Sequence, residues 1–322
     1  MKFEEAKSIK SVAIVGTGVI GSGWAARYLA NGLHVRATDP APGAEDRLRR
    51  DVDRAWPAIT RMGLKAGADR SNLTFTARLG DAVQSADYIQ ENAPEDEALK
   101  ARLMAEIDAV APEQVIIASS SSGLLPSRIQ ANCRHPERVV IGHPFNPVYL
   151  MPLVEVLGGQ ATRPSALDIA FDFYRGIGMS PLRVRQEIPG YIADRLQEAL
   201  WREALHLIND GIATTKDIDE AISNGPGVRW AFMGTCLTFH LAGGDGGMAH
   251  TLAQFAPALK LPWTKLVAPE LTEELSRRLI EGTAEQAKGQ SVESLVLQRD
   301  NRIVDIMIAR DKGASQATHS RG

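Results

Sequence analysis

The sequence predicts an α/β fold, a doubly wound and mostly parallel sheet in the N-terminal part, followed by an all-α C-terminal domain. Three observations carry this. Short β-branched runs alternate with longer helical patterns up to about residue 188, the alternation that builds βαβ units around a parallel sheet. The first strand runs into a glycine-rich turn, Gly16-Thr-Gly18-Val-Ile-Gly21. After Ile188-Pro-Gly190 strand signals cease and helical windows follow one another. The expected domains are therefore residues 1–188 and 189–311, with a disordered tail at 312–322 that shows no periodicity.

In chain order, strands are expected at 11–15, 34–38, 73–76, 88–91, 115–118, 139–142, 153–157 and 182–184, where β-branched residues cluster. Crossover helices are expected at 20–31, 44–62, 94–110 and 165–176, which are long enough and suitably patterned. Gly32 and Gly63 stand where helix C-terminal glycines belong. The helical domain reads as windows at 191–210, 215–224, 230–241, 247–258, 271–281 and 291–311.

With 44% apolar and 23% charged residues over 322 positions, the chain can bury the cores of about two domains. Its 36 basic and 39 acidic side chains leave a charge of −3, so no nucleic-acid partner is expected. The apolar stretch Val139 to Val154 is interrupted by three prolines and a histidine and falls short of a membrane span, so no membrane partner is expected. The opening MKFEEAKSIK has no apolar h-region, and a cytoplasmic location is expected. Cys133 and Cys236 lack any zinc-site or C-x-x-C spacing and read as reduced thiols, with no metal site.

The chemistry begins at the glycine turn, which lies between a strand and a helix and has Asp39 at the end of the next strand. That is the dinucleotide fingerprint of a Rossmann-type domain in its required context. Gly16 allows the tight turn, Gly18 lets the backbone approach a pyrophosphate, and Gly21 permits close helix packing. Thr17, Val19 and Ile20 complete the loop, whose helix N-terminus offers N–H groups to phosphate. Asp39 would accept from the ribose hydroxyls and repel a 2′-phosphate, so the cofactor expected is NAD. Two further strand ends carry polar loops, Ile117-Ala-Ser-Ser-Ser-Ser122-Gly-Leu and Gly142-His143-Pro-Phe-Asn146-Pro, the second followed by Met151-Pro-Leu-Val-Glu155-Val. Carboxyl ends of strands are where open α/β sheets bind ligands.

The fingerprint, the serine-rich strand end, the G-H-P-F-N-P-x-x-x-M-P-L-V-E run and the following helical domain together resemble the 3-hydroxyacyl-CoA dehydrogenase superfamily over nearly the whole chain. Within it, residues 144–155, 194–205, 228–230 and 261–265 are similar to the L-carnitine dehydrogenase branch, which is related to the lambda-crystallin/gulonate dehydrogenase branch. The resemblance implies that Ser122 hydrogen-bonds the substrate oxygen, that His143 takes the hydroxyl proton, and that Glu155 orients His143. It also implies that Glu95 and Lys100 lie near the cofactor and that Ser120 stands near the nicotinamide amide, with Asn146 on the substrate side. A homodimer is implied as well.

One position departs from the acyl-CoA enzymes. Where they carry an asparagine toward the reacting oxygen, this chain has Asp194. A carboxylate there opposes a developing alkoxide, unless it is aimed at a cation such as a trimethylammonium group. Trp201 is two helical turns further on, and Trp230 and Trp263 are the other aromatic candidates for that group, with Arg229 a candidate for a substrate carboxylate. Core packing for Trp201, and a capping role or an arginine partner for Asp194, are the bland alternatives. The expected activity is NAD-dependent oxidation of the 3-hydroxyl of L-carnitine to 3-dehydrocarnitine. The alternatives are a gulonate or 3-hydroxyacyl-CoA dehydrogenase, or a redox-inactive crystallin-like protein.

Overall fold

The computed structural model describes residues 9–243, 245, 247–255, 261–265, 267, 270 and 272–319. The chain divides into two compact units, Met1–Arg195 and Leu196–Gly322. The expectations for residues 1–8, 256–258, 271 and 320–322 lie outside the described residues.

The first unit is built on an eight-stranded sheet in the order β3-β2-β1-β4-β5-β6-β7-β8. Its strands are β1 (Ser11–Val15), β2 (His34–Thr38), β3 (Leu73–Phe75), β4 (Tyr88–Glu91), β5 (Ile116–Ser119), β6 (Val139–Pro144), β7 (Leu153–Gly158) and β8 (Ser180–Arg183). Strands β1 to β6 run parallel, β7 turns back antiparallel to β6, and β8 runs parallel to β7. The connecting helices are α1 (Val19–Ala30), α2 (Ala44–Met62), α3 (Leu79–Val83), α4 (Glu97–Val110), α5 (Pro126–Ile129) and α6 (Pro164–Gly176).

Alternation along the strands divides the core. Val12 and Ile14 of β1 pack with Trp24, Leu29, Leu48 and Phe173 in the cluster that includes α1, α2 and α6. Ala13 and Val15 pack with Val83, Met104 and Ile107 in the cluster of α3 and α4. Both faces of the sheet are therefore covered, which is why its strands read as continuous apolar runs. Helix α4 starts at Glu97, not at 94, because Asp96 caps it by accepting from the Leu99 amide at 2.7 Å.

The second unit is helical: α7 (Ala193–Asn209, whose first turn lies in the sheet unit), α8 (Thr215–Asn224), α9 (Pro226–Trp230), α10 (Thr235–Ala242), α11 (Gly247–Phe255), α12 (Glu273–Ala287) and α13 (Val292–His319). The window expected as one helix over 230–241 is broken, since Gly234 takes extended backbone as the N-cap of α10. Helix α13 continues to His319, through most of the tail expected to be disordered. Ala314, Gln316 and Ala317 are good helix formers, and the lone Gly313 costs only about 1 kcal/mol. Among the described residues no helix is long and apolar enough to cross a membrane.

Candidate active site

The glycine turn is shaped as a dinucleotide cradle. Gly16 has φ +87° and donates its N–H to the Thr38 carbonyl at 2.9 Å, which ties the turn after β1 to the end of β2. A Cβ on Gly21 would lie 2.0 Å from the Gly16 carbonyl oxygen, so helix α1 can start here only with glycine. A Cβ on Gly18 would meet nothing within 4 Å, and the backbone there faces open space at the helix N-terminus. Asp39 reaches back into the loop: Oδ2 accepts from the Thr17 amide at 2.7 Å and Oδ1 from the Ala41 amide at 2.8 Å. Oδ2 also accepts from the Thr17 hydroxyl at 3.1 Å, which leaves Oδ1 a lone pair for another donor. These residues fit NAD.

The ends of β4 and β5 are knit by buried charges. Glu91 is fully buried and accepts from Lys100 Nζ at 2.9 and 3.2 Å, while the same ammonium donates to the Ala93 carbonyl at 2.9 Å. The Ser119 hydroxyl also donates to Glu91. Lys100, expected at the cofactor, is 1% exposed and uses its protons within the protein. It therefore secures the loop after β4. Glu95 sits 3.7 Å from Lys100 through Oε2, and its Oε1 accepts from the Ser121 hydroxyl and from the amides of Ser122 and Gly123 at 3.0 and 3.1 Å. One carboxylate thus shapes the loop that carries Ser122. Ser120 is also committed: its hydroxyl accepts from Trp24 Nε1 at 3.0 Å and Gln90 Nε2 at 2.9 Å, and donates to Asn92 Oδ1 at 2.7 Å. With its donor and both lone pairs used, Ser120 has no hydrogen bond left for a nicotinamide amide.

The residues expected as the acid–base pair meet across the antiparallel strands. His143 on β6 is directly opposite Glu155 on β7, and His143 Nδ1 lies 3.0 Å from Glu155 Oε2. Glu155 Oε1 accepts from the amides of Ile192 and Ala193 at 2.9 and 3.0 Å, at the start of α7. Burial by itself would raise the Glu155 pKa, but the bond from His143 and the two amides outweigh it and hold the carboxyl below its ordinary value. An ionised Glu155 only accepts, so the His143 proton sits on Nδ1 and Nε2 is left with a lone pair. Asp194 Oδ2 is 3.7 Å from that Nε2.

Tyr191 ties the serine loop to this pair. It is fully buried, takes a left-handed backbone (φ 44°), donates its hydroxyl to the Leu124 carbonyl at 2.7 Å and lays its ring edge-on 5.6 Å from His143. The ring of Phe145 lies 5.1 Å from His143 on the loop after β6, where Asn146 is exposed. Of the predicted residues, the geometry joins His143, Glu155 and Asp194 directly, and Glu95 with the amide of Ser122. Trp201, Arg229, Trp230 and Trp263 belong to the helical unit, where each is exposed. Glu91, Gln90, Trp24 and Tyr191 were not singled out from the sequence. A buried acid within reach of a lysine nine residues on was the one visible signal, at Glu91 and Lys100.

Residues 11–188 match the NAD binding domain of 3-hydroxyacyl-CoA dehydrogenase, and residues 190–288 its C-terminal domain. The chain is 56% identical to an L-carnitine dehydrogenase of Bacillus cereus over 95% of this chain and 94% of that one. It is also 56% identical to an L-carnitine dehydrogenase of Pseudomonas aeruginosa, over 97% and 96%. Among solved structures, it resembles 5-formyl-3-hydroxy-2-methylpyridine 4-carboxylic acid 5-dehydrogenase, described as an NAD+-dependent dismutase. That likeness has a TM-score of 0.80 at 30% identity, covering 94% of this chain and 99% of that one. It also resembles 3-hydroxybutyryl-CoA dehydrogenase of Escherichia coli, with a TM-score of 0.63 at 27% identity over 85% of this chain and 57% of that one.

Proposed function

The chain belongs to the 3-hydroxyacyl-CoA dehydrogenase family and is an NAD-dependent dehydrogenase, and from that premise we propose that it oxidises the 3-hydroxyl of L-carnitine to 3-dehydrocarnitine. The name carried by relatives matching over nearly the whole chain supports the substrate. The observation that supports the mechanism is the ordered path from the Ile192 and Ala193 amides through Glu155 to His143.

Bound NAD supplies the acceptor for the hydrogen and electron pair that leave C3. The protein's own part is to hold the alcohol and take its proton. His143 Nε2 receives the hydroxyl proton, and Glu155, ionised on the other ring nitrogen, offsets the positive charge that forms on the imidazole. The Ser122 hydroxyl holds the substrate oxygen, on a loop shaped by Glu95. Gly18 and the first turn of α1 receive the pyrophosphate, and Asp39 the ribose. Lys100 and Ser120 brace the two loops through their own hydrogen bonds. The same reading places the enzyme in the cytoplasm as a homodimer, and the apolar side chains exposed on the helical unit, among them Leu200, Phe232, Phe239 and Leu252, support an interface there.

The test is His143→Ala. Removing a general base costs about 10² to 10⁴ in rate, so kcat should fall by that order while the Kd for NAD stays within about twofold. Full turnover in the variant would remove His143 from the role of base.

A further inference from the structure

We propose that Gln90 is a positioning residue of the reaction, holding the glycine turn and the strand end that carries His143 in one fixed relation. The inference rests on the reading of the protein as an L-carnitine dehydrogenase with His143 as base. Gln90 lies on β4, in the middle of the sheet, and is fully enclosed. An amide there is costly unless its hydrogen bonds are made.

All four are made. Oε1 accepts from the Tyr28 hydroxyl of α1 at 3.2 Å and the Tyr174 hydroxyl of α6 at 2.6 Å. Nε2 donates to Ser120 Oγ at 2.9 Å and to the Gly142 carbonyl at 3.4 Å. Only one orientation of the amide fits. Trp24 Nε1, which can only donate, takes one lone pair of Ser120 at 3.0 Å. The Ser120 proton goes to Asn92 Oδ1 at 2.7 Å, because Asn92 Nδ2 donates to the carbonyls of Gln90 and Val15 at 2.9 and 3.4 Å. The second lone pair of Ser120 needs a donor, and Gln90 Nε2 is that donor.

The two ends of this chain are the two halves of the site. At one end Asn92 abuts the first glycine of the turn, where a Cβ on Gly16 would lie 2.8 Å from the Asn92 carbonyl carbon and oxygen. At the other end Gly142 directly precedes His143. A Cβ on Gly142 would lie 1.9 Å from the Tyr174 hydroxyl oxygen, so glycine admits the tyrosine that holds Gln90. The backbone ladder joins β4 to β5 and β5 to β6, whereas Gln90 reaches from β4 past β5 to β6. Hydride transfer requires the alcohol carbon, held on the His143 side, at near-attack distance from a cofactor held by the turn. An enclosed amide with every bond made fixes that distance.

The experiment is single-turnover stopped flow with enzyme and NAD in excess over L-carnitine, read as NADH absorbance. L-carnitine deuterated at C3 identifies the hydride step by its slowing. Loss of folded protein lowers the amount of active enzyme but leaves the saturated rate constant unchanged, whereas misplacement lowers the rate constant itself. Gln90→Met keeps the length of the side chain and removes all four bonds. We expect its rate constant to fall about 10- to 100-fold while the Kd for NAD stays within about threefold. Gln90→Met combined with Ser120→Ala should cost little more than either alone, since both cut the same chain. Should Gln90→Met fail to bind NAD, Tyr174→Phe, which takes one donor from Oε1, carries the test with an expected several-fold fall. A rate constant within about twofold of the wild type in the folded variant, a loss of NAD affinity as large as the loss of rate, or additive losses in the double variant overturns the positioning role and leaves the function standing. Full turnover in His143→Ala, or a wild type that makes no NADH from L-carnitine, overturns that reading and the positioning role with it.

Discussion

His143 and Glu155 face each other in register on neighbouring strands, so their alignment is fixed by the sheet and not by flexible loops. Glu155→Gln keeps the shape but removes the charge that offsets an imidazolium, and kcat should fall about 10- to 1,000-fold, with a smaller change in KM. Asp39 is the residue proposed for the same kind of anchoring at the cofactor end. Since its oxygens also hold the Thr17 and Ala41 amides, Asp39→Ala should weaken NAD binding and narrow its advantage over NADP. Cofactor titrations measure both effects, and equal activity with NAD and NADP in the unmodified protein would remove the assignment. These residues could be singled out because each sits in a local motif. Lys100 and Ser120 could be singled out as polar residues near the strand ends. Their partners, Glu91, Trp24, Gln90 and Asn92, come together only in the folded sheet.

The joint from β8 into α7 shows how an element aims a side chain. Gly190 (φ +71°) and Tyr191 (φ 44°) are consecutive left-handed residues, and the turn they make delivers the Ile192 and Ala193 amides together to Glu155. Successive amides presented in this way form a concavity suited to an anion. A Cβ at position 190 adds left-handed strain of about 1–2 kcal/mol and would lie 3.3 Å from Arg195 Cγ. Gly190→Ala should therefore lower Tm by a few degrees and lower kcat as the amide pair shifts on Glu155. Thermal melts and kinetics measured on the same sample check this, and a change in neither would show that the joint tolerates a side chain. The sequence marked this joint as a boundary through Ile188-Pro-Gly190, yet Tyr191 read as an ordinary first residue of a helix. Nor could the reversal of β7 be read, because strand direction depends on pairing and leaves no trace in the composition of a six-residue run.

Across the whole molecule, buried carboxylates link stability to pH. Burial raises the pKa of Asp108, but bonds from Arg138 and from the His135 and Arg134 amides outweigh it, and the carboxyl is held below its ordinary value, as Glu155 is. A depressed carboxyl contributes stability that is fully present above its unfolded pKa of about 4, and the contribution is lost as pH falls through the folded value. Stability should thus be flat near neutrality and fall below about pH 4, in urea melts repeated down the pH scale. Arg138 is enclosed with Asp108 Oδ1 at 2.6 Å from Nη2, so Asp108→Asn strands a buried guanidinium and should cost about 3–5 kcal/mol at neutral pH. A cost under about 1 kcal/mol would show that Arg138 finds other partners.

The two-domain architecture was readable because alternating β-branched and helical windows give way to helix alone at one point in the chain. Substrate choice was not readable from that architecture, since the same sheet serves relatives with different reactants. The most direct measurement is the appearance of NADH absorbance when the purified protein is given NAD with L-carnitine, L-gulonate or 3-hydroxybutyryl-CoA in turn. We predict kcat/KM highest for L-carnitine and a rate that falls about 10²- to 10⁴-fold in His143→Ala. A higher kcat/KM with the thioester or with gulonate, or no NADH from L-carnitine, would contradict the assignment.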